Sequence, residues 1–353
     1  MMIRWWTAWV VPLVLGVAFS QGVLSAGSGH SLFLKEGVLW GWGWNYHGQL
    51  GDGSFLNRSR PGVVMRGVAL AVAGEAHTLL LDLEGRVWVF GRNEEGQLGL
   101  GSWASQGRPV LLEGLPKVSG IAAGHQHSLF LAMDGTVYAS GANTEGQLGD
   151  GGWQGRNLPV KVLGLPKVAY VAAGYFHSLA LTAEGRVFAW GANLSGQLGD
   201  GTVESRAKPL PVEGLPRVVQ AVGGGSFSAA LGADGVVYVF GLDSATPRGV
   251  EGLPPVVALA AGREHLLCLS REGEVWALGA NDTGQLGDGT QESRLEAKRV
   301  EGLKGVVAVG AGDAHSLALT GEGRLYAWGN NAYGQLGDGT RQTRLRPVEV
   351  RWP

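Results

Sequence analysis

The chain is organised around the segment Ala172-Ala-Gly-Tyr-Phe-His-Ser-Leu-Ala-Leu181, which is followed by Gly185-Arg-Val-Phe-Ala-Trp-Gly191 and Gly196-Gln-Leu-Gly-Asp-Gly201. This pattern occurs seven times, and its first glycine recurs at Gly27, Gly74, Gly124, Gly174, Gly224, Gly262 and Gly312. The successive spacings are 47, 50, 50, 50, 38 and 50 residues. A period of this length is typical of an array of supersecondary units. Because one such unit cannot bury its apolar face alone, the seven must share one architecture.

Each repeat contains short alternating segments that are separated by glycine and proline. In the fourth repeat these segments cover residues 168–174, 177–181, 186–190 and 209–212. Such segments indicate β-strands, and four strands per unit of this length are typical of a propeller blade. We therefore predict an all-β fold, a seven-bladed β-propeller of four-stranded antiparallel blades, as one domain over residues 21–353. Whether the N-terminal strands complete a blade begun near residues 346–350 is left open by the repeats.

An aromatic residue occupies one position of the third segment in all seven repeats, and we expect these rings to fill the space between blades. They are Trp40, Trp88, Tyr138, Phe188, Tyr238, Trp276 and Tyr326. The fifth repeat departs from the others, because it lacks the Gly-Gln-Leu-Gly loop and has Phe227 where the others have histidine.

Residues 1–20 have the pattern of a secretory signal peptide. Arg4 precedes an apolar stretch, and Ala18 and Ser20 are small residues at the two positions that a signal peptidase reads. We expect cleavage after Ser20 and a secreted, periplasmic or cell-surface protein, with an uncleaved membrane anchor as the alternative. Cys268 is the one cysteine of the chain, so no internal disulfide is possible, and we expect it to be a buried strand residue.

The charge is close to balanced, with 28 basic and 30 acidic side chains and no basic tract. The electrostatic signature of a nucleic-acid-binding protein is therefore missing. We expect no nucleic acid as a partner, contact with a membrane only through an uncleaved signal segment, and a monomer in solution.

The motifs A-G-x-x-H-S-L-x-L, G-x-V-[aromatic]-x-W-G-x-N and G-Q-L-G-D-G resemble regulator of chromosome condensation repeats over residues 21 to about 350. The resemblance implies a seven-bladed propeller, and family members have several functions. The founding member is a nuclear exchange factor for a small GTPase that binds chromatin, a plant member senses UV-B light, and secreted bacterial members inhibit β-lactamase.

Two of these functions are poorly supported by the residues of this chain. The wedge-like insertion of the exchange factor has no counterpart in these minimal repeats, so nucleotide exchange stays a weak alternative. In the plant light receptor, tryptophans occupy the position that directly follows the first glycine of the repeat. No tryptophan occupies that position in this chain, where the residues are Ser28, Glu75, His125, Tyr175, Gly225, Arg263 and Asp313. The secreted inhibitors match the expected compartment, although the target need not be a β-lactamase.

Two sets of repeated polar residues are interpreted as structural. Six histidines share one repeat position, and separate blades would spread them around a ring, so we expect each to bond backbone within its own blade rather than to bind a metal. They are His30, His77, His127, His177, His265 and His315. Five loop aspartates each have an arginine six residues later, which predicts ion pairs that hold the loop. These are Asp52–Arg58, Asp150–Arg156, Asp200–Arg206, Asp288–Arg294 and Asp338–Arg344.

Positions at which the repeats differ are the candidates for function. The residues between the first glycine and the histidine match the partner-facing surface of the light receptor and the inhibitors, and they include typical interface anchors. This predicted binding set is Glu75, His125, Gln126, Tyr175, Phe176, Arg263, Glu264 and Asp313. A second candidate is an exposed aromatic patch of Phe55, Trp103 and Trp153. The alternative, to which we give equal weight, is that each ring folds onto its own blade.

We therefore expect a secreted, non-enzymatic propeller that binds another protein, as a scaffold or as a mask of a partner enzyme. The alternative is a carbohydrate or cell-wall binding module that uses the aromatic patch. Neither a catalytic residue pair nor a cofactor or metal motif stands out from the repeat pattern, so no catalytic residue, cofactor or metal is predicted.

Overall fold

Each repeat folds into one four-stranded antiparallel sheet, and seven such sheets form a β-propeller. The computed structural model describes residues 22–242 and 244–353. The predicted fold is confirmed, whereas the predicted signal peptide, residues 1–20, lies outside the described residues. Within every blade the strands pair in chain order, from the innermost strand to the outermost.

The twenty-eight strands of the described residues divide evenly among the seven blades. In chain order the strands of blades 1 to 4 are β1 Val23–Ala26, β2 His30–Lys35, β3 Val38–Gly43, β4 Arg58–Arg66; β5 Val68–Ala73, β6 His77–Asp82, β7 Val87–Gly91, β8 Gln106–Leu112; β9 Val118–Ala123, β10 His127–Ala132, β11 Val137–Gly141, β12 Arg156–Lys161; and β13 Val168–Ala173, β14 His177–Thr182, β15 Val187–Gly191, β16 Arg206–Pro211. Those of blades 5 to 7 are β17 Val218–Gly223, β18 Phe227–Gly232, β19 Val237–Gly241, β20 Ser244–Gly249; β21 Val256–Ala261, β22 His265–Ser270, β23 Val275–Gly279, β24 Arg294–Arg299; and β25 Val306–Ala311, β26 His315–Thr320, β27 Leu325–Gly329, β28 Arg344–Glu349.

The first strand of each blade lines a central channel, and it is short and rich in alanine and glycine. Because the strands alternate in direction, the turn after the first strand and the loop after the third strand lie at the same end of the blade. We call this end of the propeller the loop face. The Gly-x-x-His turns lie near its centre, and the Gly-Gln-Leu-Gly loops lie further out.

Seven apolar clusters hold neighbouring blades together, and each takes residues from two blades. Between blades 3 and 4, for example, Leu129 and Leu131 pack with Phe188 and Trp190. The repeated aromatic residues belong to these clusters as predicted, but most are only partly buried. The fully buried indoles lie two residues further along the third strand, at Trp42, Trp190 and Trp328.

The six repeated histidines connect blades, which corrects the prediction that each bonds within its own blade. His177 Nε2 lies 2.8 Å from Ser228 Oγ on the next blade, and this hydroxyl donates to the carbonyl oxygen of Gln197 at 2.8 Å. All six histidines contact a serine or threonine hydroxyl of the next blade in this way, at 2.8–3.1 Å. The backbone groups beside each histidine are already used by its own sheet, so the ring is free to reach across the junction.

Between blades 5 and 6 all three partners of this connection change together. Phe227 replaces the histidine, Leu266 replaces the serine, and the Gly-Gln-Leu-Gly loop that would supply the carbonyl is missing. Both side chains are buried in one apolar cluster. A packed apolar pair therefore replaces a fully satisfied polar triad, and no buried polar group of the triad is left without a partner.

The ring closes without strand exchange, which settles the blade offset that the repeats left open. Blade 1 is built from β1 to β4 and blade 7 from β25 to β28. At their junction Ser31 Oγ accepts from His315 Nε2 at 2.9 Å and donates to the carbonyl of Gln335 at 2.8 Å. The closing junction therefore uses the same contacts as the other junctions.

The five predicted Asp–Arg pairs all form. Arg58 lies 2.7 Å from Asp52, Arg206 lies 3.1 Å from Asp200, and the three remaining pairs are Asp150–Arg156, Asp288–Arg294 and Asp338–Arg344. The same carboxylates accept from backbone and asparagine amides of their own loops, so each pair fixes a loop of the loop face. Cys268 is fully buried as predicted, and burial raises the pKa of its thiol.

Candidate functional site

Seven residues surround the mouth of the channel on the loop face, one from each blade. Each directly follows the first glycine of its repeat, and backbone hydrogen bonds join neighbouring blades there, such as His125 N to Tyr175 O at 3.1 Å and Arg263 N to Asp313 O at 3.2 Å. We call them the mouth residues: Ser28, Glu75, His125, Tyr175, Gly225, Arg263 and Asp313. The repeat fixes their backbone, so their side chains are free to differ.

On blades 2 to 4 the mouth residues contact one another through charge and aromatic stacking. Arg92, from the end of the third strand of blade 2, lies 3.2 Å from the Glu75 carboxylate, and His125 Nδ1 lies 3.4 Å from the same carboxylate. The His125 ring is 4.6 Å from the Tyr175 ring and 5.3 Å from the Phe176 ring, measured between centroids. These five side chains form a continuous, half-buried surface.

Burial dominates the ionisation of this surface. It raises the pKa of Glu75, which the nearby Arg92 guanidinium partly offsets. It lowers the pKa of His125 to about 4, and the charges of Arg92 and Arg263 act in the same direction. The His125 imidazole is therefore neutral at physiological pH, and it presents an aromatic face rather than a charge.

Tyr175 reaches across the mouth from blade 4 towards blades 7 and 1. Its hydroxyl lies beside the Asp313 carboxylate and the Ser28 hydroxyl, which affect its ionisation. It makes no hydrogen bond within 3.5 Å to any described residue. Burial, and next the Asp313 charge, raise the pKa of Tyr175, and burial also raises the pKa of Asp313. The side chain thus partly closes the channel with a polar end that is not satisfied.

The structure brings most of the predicted binding set together at the mouth. Gln126 lies beside the Glu75 carboxylate, and the Arg263 guanidinium lies 6.0 Å from the centre of the Tyr175 ring. Arg263 and Glu264 are exposed and lie 3.5 Å apart. Their side chains therefore form the solvent-facing edge of the mouth, whereas the channel is lined by Glu75, His125, Tyr175 and Asp313.

Sequence reasoning missed an aromatic cluster at the junction of blades 7 and 1, beside the mouth. The indole of Trp44 stacks on the Tyr333 ring with centroids 5.4 Å apart, and Tyr46 and His47 pack against them. His47 lies near Arg92, whose charge lowers its pKa together with the larger effect of burial. We call Trp44, Tyr46, His47 and Tyr333 the junction cluster.

A sequence signal for the junction cluster and for Arg92 existed. The residue after the glycine that ends the third strand is alanine in three repeats, at Ala142, Ala192 and Ala280, but is Trp44 and Arg92 in the first two. This is the same kind of departure from the repeat that identified the mouth residues. Gly29 is a further sequence signal for this cluster, because a Cβ at this position would lie only 2.8 Å from the Tyr333 ring.

The predicted aromatic patch lies further out on the same face. Phe55, Trp103 and Trp153 are 46%, 52% and 50% exposed, so each ring is about half covered by its surroundings. Phe55 has a φ of 55° and packs over Gly107 of the next blade, where a Cβ would lie 2.6 Å from the ring. The three rings do not stack on one another and form three separate apolar positions along blades 1 to 3.

Among residues 22–242 and 244–353 no group of three or more histidine, cysteine or acidic side chains is placed to hold a metal ion. In the same part of the chain, no helix has the length and apolarity that crossing a membrane requires.

Comparison with known proteins identifies the repeats. The RCC1-like domain matches residues 10–246, and the regulator of chromosome condensation (RCC1) repeat matches residues 272–319, 322–353 and, in a second form, 306–335. No curated protein sequence matches the chain significantly.

Solved structures show the same fold. Human WBSCR16 is 28% identical, with 84% of this chain and 85% of that chain covered and a TM-score of 0.77. Yeast RCC1 (Prp20), solved with Kap60, is 23% identical over 99% of this chain and 89% of that one, with a TM-score of 0.81.

Saccharomyces cerevisiae Prp20p, a structure described together with its binding properties to Gsp1p and histones, is 25% identical. The alignment covers 85% of this chain and 83% of that one, with a TM-score of 0.74. Because the RCC1-like domain alone matches more than half of its residues, the chain belongs to the regulator of chromosome condensation (RCC1) repeat family.

Proposed function

We propose that the protein is a non-enzymatic propeller that binds a partner protein on its loop face, at the mouth of the channel. The observation that carries this proposal is one continuous band of side chains across blades 7, 1, 2, 3 and 4. The band runs from the junction cluster past Arg92 and Glu75 to His125, Tyr175 and Phe176.

The composition of this band supports a protein partner. Tryptophan, tyrosine and arginine contribute most of the binding energy in protein interfaces, particularly where they are surrounded by other packed groups. Trp44, Tyr175 and Arg92 are each held by neighbours in this way. The side chains are therefore ordered before binding, which reduces the entropy that association costs. The binding of Gsp1p and histones by the related Prp20p supports the same class of function.

The proposed setting is outside the cytoplasm, and the proposed role is to scaffold or mask a partner enzyme. Residues 1–20 have the charge, apolar stretch and small residues of a signal peptide, which supports export. N-terminal sequencing of the protein from the exported fraction is expected to begin at Gln21. A protein retained in the cytoplasm with an intact N-terminus would contradict this part of the proposal.

Replacing both Tyr175 and Phe176 with alanine is expected to weaken partner binding by more than about 30-fold, because two anchor residues are typically worth 2 kcal/mol or more together. The measurement is affinity capture from the native exported fraction, followed by titration of the captured partner. The matched control replaces Leu83 and Met133, which are 73% and 57% exposed at the opposite end of blades 2 and 3, with alanine. Binding that survives the first double variant and fails in the control would place the interface on the other face.

The half-exposed rings of Phe55, Trp103 and Trp153 favour a second candidate function, the binding of carbohydrate or cell-wall polymers. Aromatic rings that are held by the blade and open to solvent on one side can stack on sugars. On a glycan array, Trp103→Ala/Trp153→Ala is then expected to lose binding that Tyr175→Ala/Phe176→Ala retains. An array that the unchanged protein does not bind would exclude this candidate.

A further inference from the structure

The Asp313 carboxylate at the channel mouth is half-buried and has no ion-pair partner among the described residues. Among the described residues, no lysine, arginine or histidine nitrogen lies within 4.0 Å of it. Arg92 is engaged by Glu75 and Glu94, and Arg263 lies next to Glu264. A partly buried carboxylate loses part of its hydration, and an opposite charge or hydrogen bonds compensate for that loss. Among the described residues, Asp313 is therefore the one mouth carboxylate without an ion pair, although the nearby Tyr175 and Ser28 side chains and the more distant Arg263 charge partly offset the effect of burial on its pKa.

Two buried polar atoms near Asp313 also have no hydrogen bond of normal geometry to a described residue. They are Ser28 Oγ and the Tyr175 hydroxyl oxygen, and they come from blades 1 and 4. Buried polar groups almost always have partners, so these two hydroxyl groups offer hydrogen-bonding capacity that a bound species can use. Ser28 and Tyr175 flank the carboxylate, and their oxygens can accept hydrogen bonds from a donor that sits between them.

The space beneath these atoms is large enough for a bound group. The channel has a volume of about 440 Å³ and is lined by small apolar residues of the innermost strands, with Ser28, Glu75, His125, Tyr175 and Asp313 at its mouth. Apolar walls strengthen the attraction between the carboxylate and an opposite charge, because the local dielectric is low. The Tyr175 and Phe176 rings offer an apolar surface to the alkyl chain that carries such a charge.

We propose that the channel mouth binds one ammonium or guanidinium group, the side chain of a lysine or arginine of the protein partner, through Asp313, Tyr175 and Ser28. The proposal rests on the proposed function, because it assigns the partner a basic residue at the centre of the interface. The bound nitrogen donates to the Asp313 carboxylate and to the two hydroxyl oxygens.

Other ligands fit the same atoms less well. Water would satisfy the hydroxyl groups and hydrate the carboxylate, but it would supply no opposite charge. An anion would be repelled by Asp313 and Glu75. A hard metal ion needs about six oxygen ligands, and the described residues of the mouth do not supply them.

The test uses saturation-transfer NMR with the full-length exported protein and three small probes. N-acetyl-lysine amide is expected to bind, and N-acetyl-norleucine amide, which has a similar alkyl chain without the charge, is expected not to bind. Putrescine is the third probe. If it binds 100-fold more tightly than the lysine probe, a free polyamine is the ligand and the assignment to a partner side chain is overturned.

Two variants locate the site. Asp313→Asn keeps the shape of the side chain and is expected to weaken the lysine probe more than tenfold, and Tyr175→Phe is expected to weaken it several-fold. Glu204→Gln, at an exposed carboxylate further out on the same face, is expected to leave binding unchanged. Norleucine binding equal to that of lysine, or unchanged lysine binding in folded Asp313→Asn or Tyr175→Phe, would overturn the proposal.

The failure of this inference and the failure of the proposed function give different results. A captured partner that is lost by Tyr175→Ala/Phe176→Ala but kept by Asp313→Asn leaves the interface in place and removes the cation site. A lysine probe that binds in an Asp313-dependent way, with no protein partner captured, keeps the cation site and removes the proposed function.

Discussion

Unfolding of the protein at pH 5 is expected to take up at least six protons, so that the free energy of unfolding falls by about 8 kcal/mol or more per pH unit near that pH. The source is the six histidines that connect neighbouring blades. Burial lowers their pKa values to about 3 at His30, His77, His127 and His315, and to about 4 at His177 and His265.

The hydrogen bonds explain why the folded protein cannot accept these protons. Ser228 Oγ has one proton and donates it to the carbonyl of Gln197, so His177 Nε2 must be the donor in the bond between them. Nδ1 of His177 is then the unprotonated nitrogen, and it has no partner in the structure. Protonation would create a buried N–H and a buried charge with nothing to receive either.

The sign and size of the effect follow from linkage. Unfolded histidines have a pKa near 6.5, so between that pH and the folded pKa values the unfolded chain binds more protons than the folded one. Stability is therefore complete above about pH 6.5 and is lost as the pH falls. At pH 5 each buried histidine contributes a loss of about 2 kcal/mol, and six give about 12 kcal/mol. Such a loss is comparable to the total stability of a typical protein.

Urea unfolding from pH 8 to pH 5, followed by the fluorescence of the buried tryptophans, measures the slope. His177→Phe is expected to reduce the proton uptake by about one, because Phe227 already occupies the equivalent site between blades 5 and 6. Asp200→Asn is the control and is expected to leave this slope unchanged, since its carboxyl, with a lowered pKa, titrates at lower pH. A stability that stays flat from pH 7 to pH 5 would show that the histidines are protonated in the folded protein.

Much of the fold could be predicted from the sequence, because a propeller repeats its local pattern. The spacing of the glycines gives the number of blades, and the joint loss of Asp and Arg in the second repeat, at Leu100 and Gln106, indicated the ion pairs. The contacts between blades were less accessible. The distance from His177 to Ser228 along the chain does not reveal that their side chains meet, and the histidine was wrongly assigned to its own blade for this reason.

The candidate site, too, could be predicted only in part from the sequence. The residues beside Gly174 could be chosen because they differ between repeats and match the partner-facing positions of related propellers. The compensation of charges could not be predicted, because it depends on how far each side chain reaches. That Arg92 is bound to Glu75 while Asp313 has no cation is visible only in the structure.

Replacing Gly174 with alanine is expected to destabilise the protein by more than about 3 kcal/mol, which is at the upper end of the range for overpacked sites. The added Cβ would lie 2.1 Å from Cε1 of the His177 ring and 2.6 Å from the carbonyl oxygen of Gly224 on the next blade. Neither atom can move away freely. The ring is held by Ser228, and the carbonyl accepts from the Tyr175 amide at 3.0 Å.

Gly249→Ala is the matched control, because a Cβ at this strand position has nothing within 4 Å. It is expected to change the free energy of unfolding by less than about 0.5 kcal/mol. The second variant, Gly174→Ala/His177→Ala, removes the ring but keeps the clash with the Gly224 carbonyl, so only part of the stability is expected to return. Urea midpoints for the three variants measure these differences. A midpoint for Gly174→Ala equal to that of the unchanged protein would show that neighbouring blades can separate at little cost.

The effect of Gly174→Ala is expected to be confined to stability. Where the variant is folded, its partner binding should be unchanged, since residue 174 faces the next blade and not the solvent. Tyr175→Ala is expected to weaken partner binding and to leave the stability unchanged. The half-exposed Tyr175 ring belongs to the mouth surface and fills no junction between blades. Two adjacent residues thus separate blade packing from binding. If Gly174→Ala lost the partner while its urea midpoint stayed unchanged, this division between the repeated glycine and the variable residue after it would be wrong.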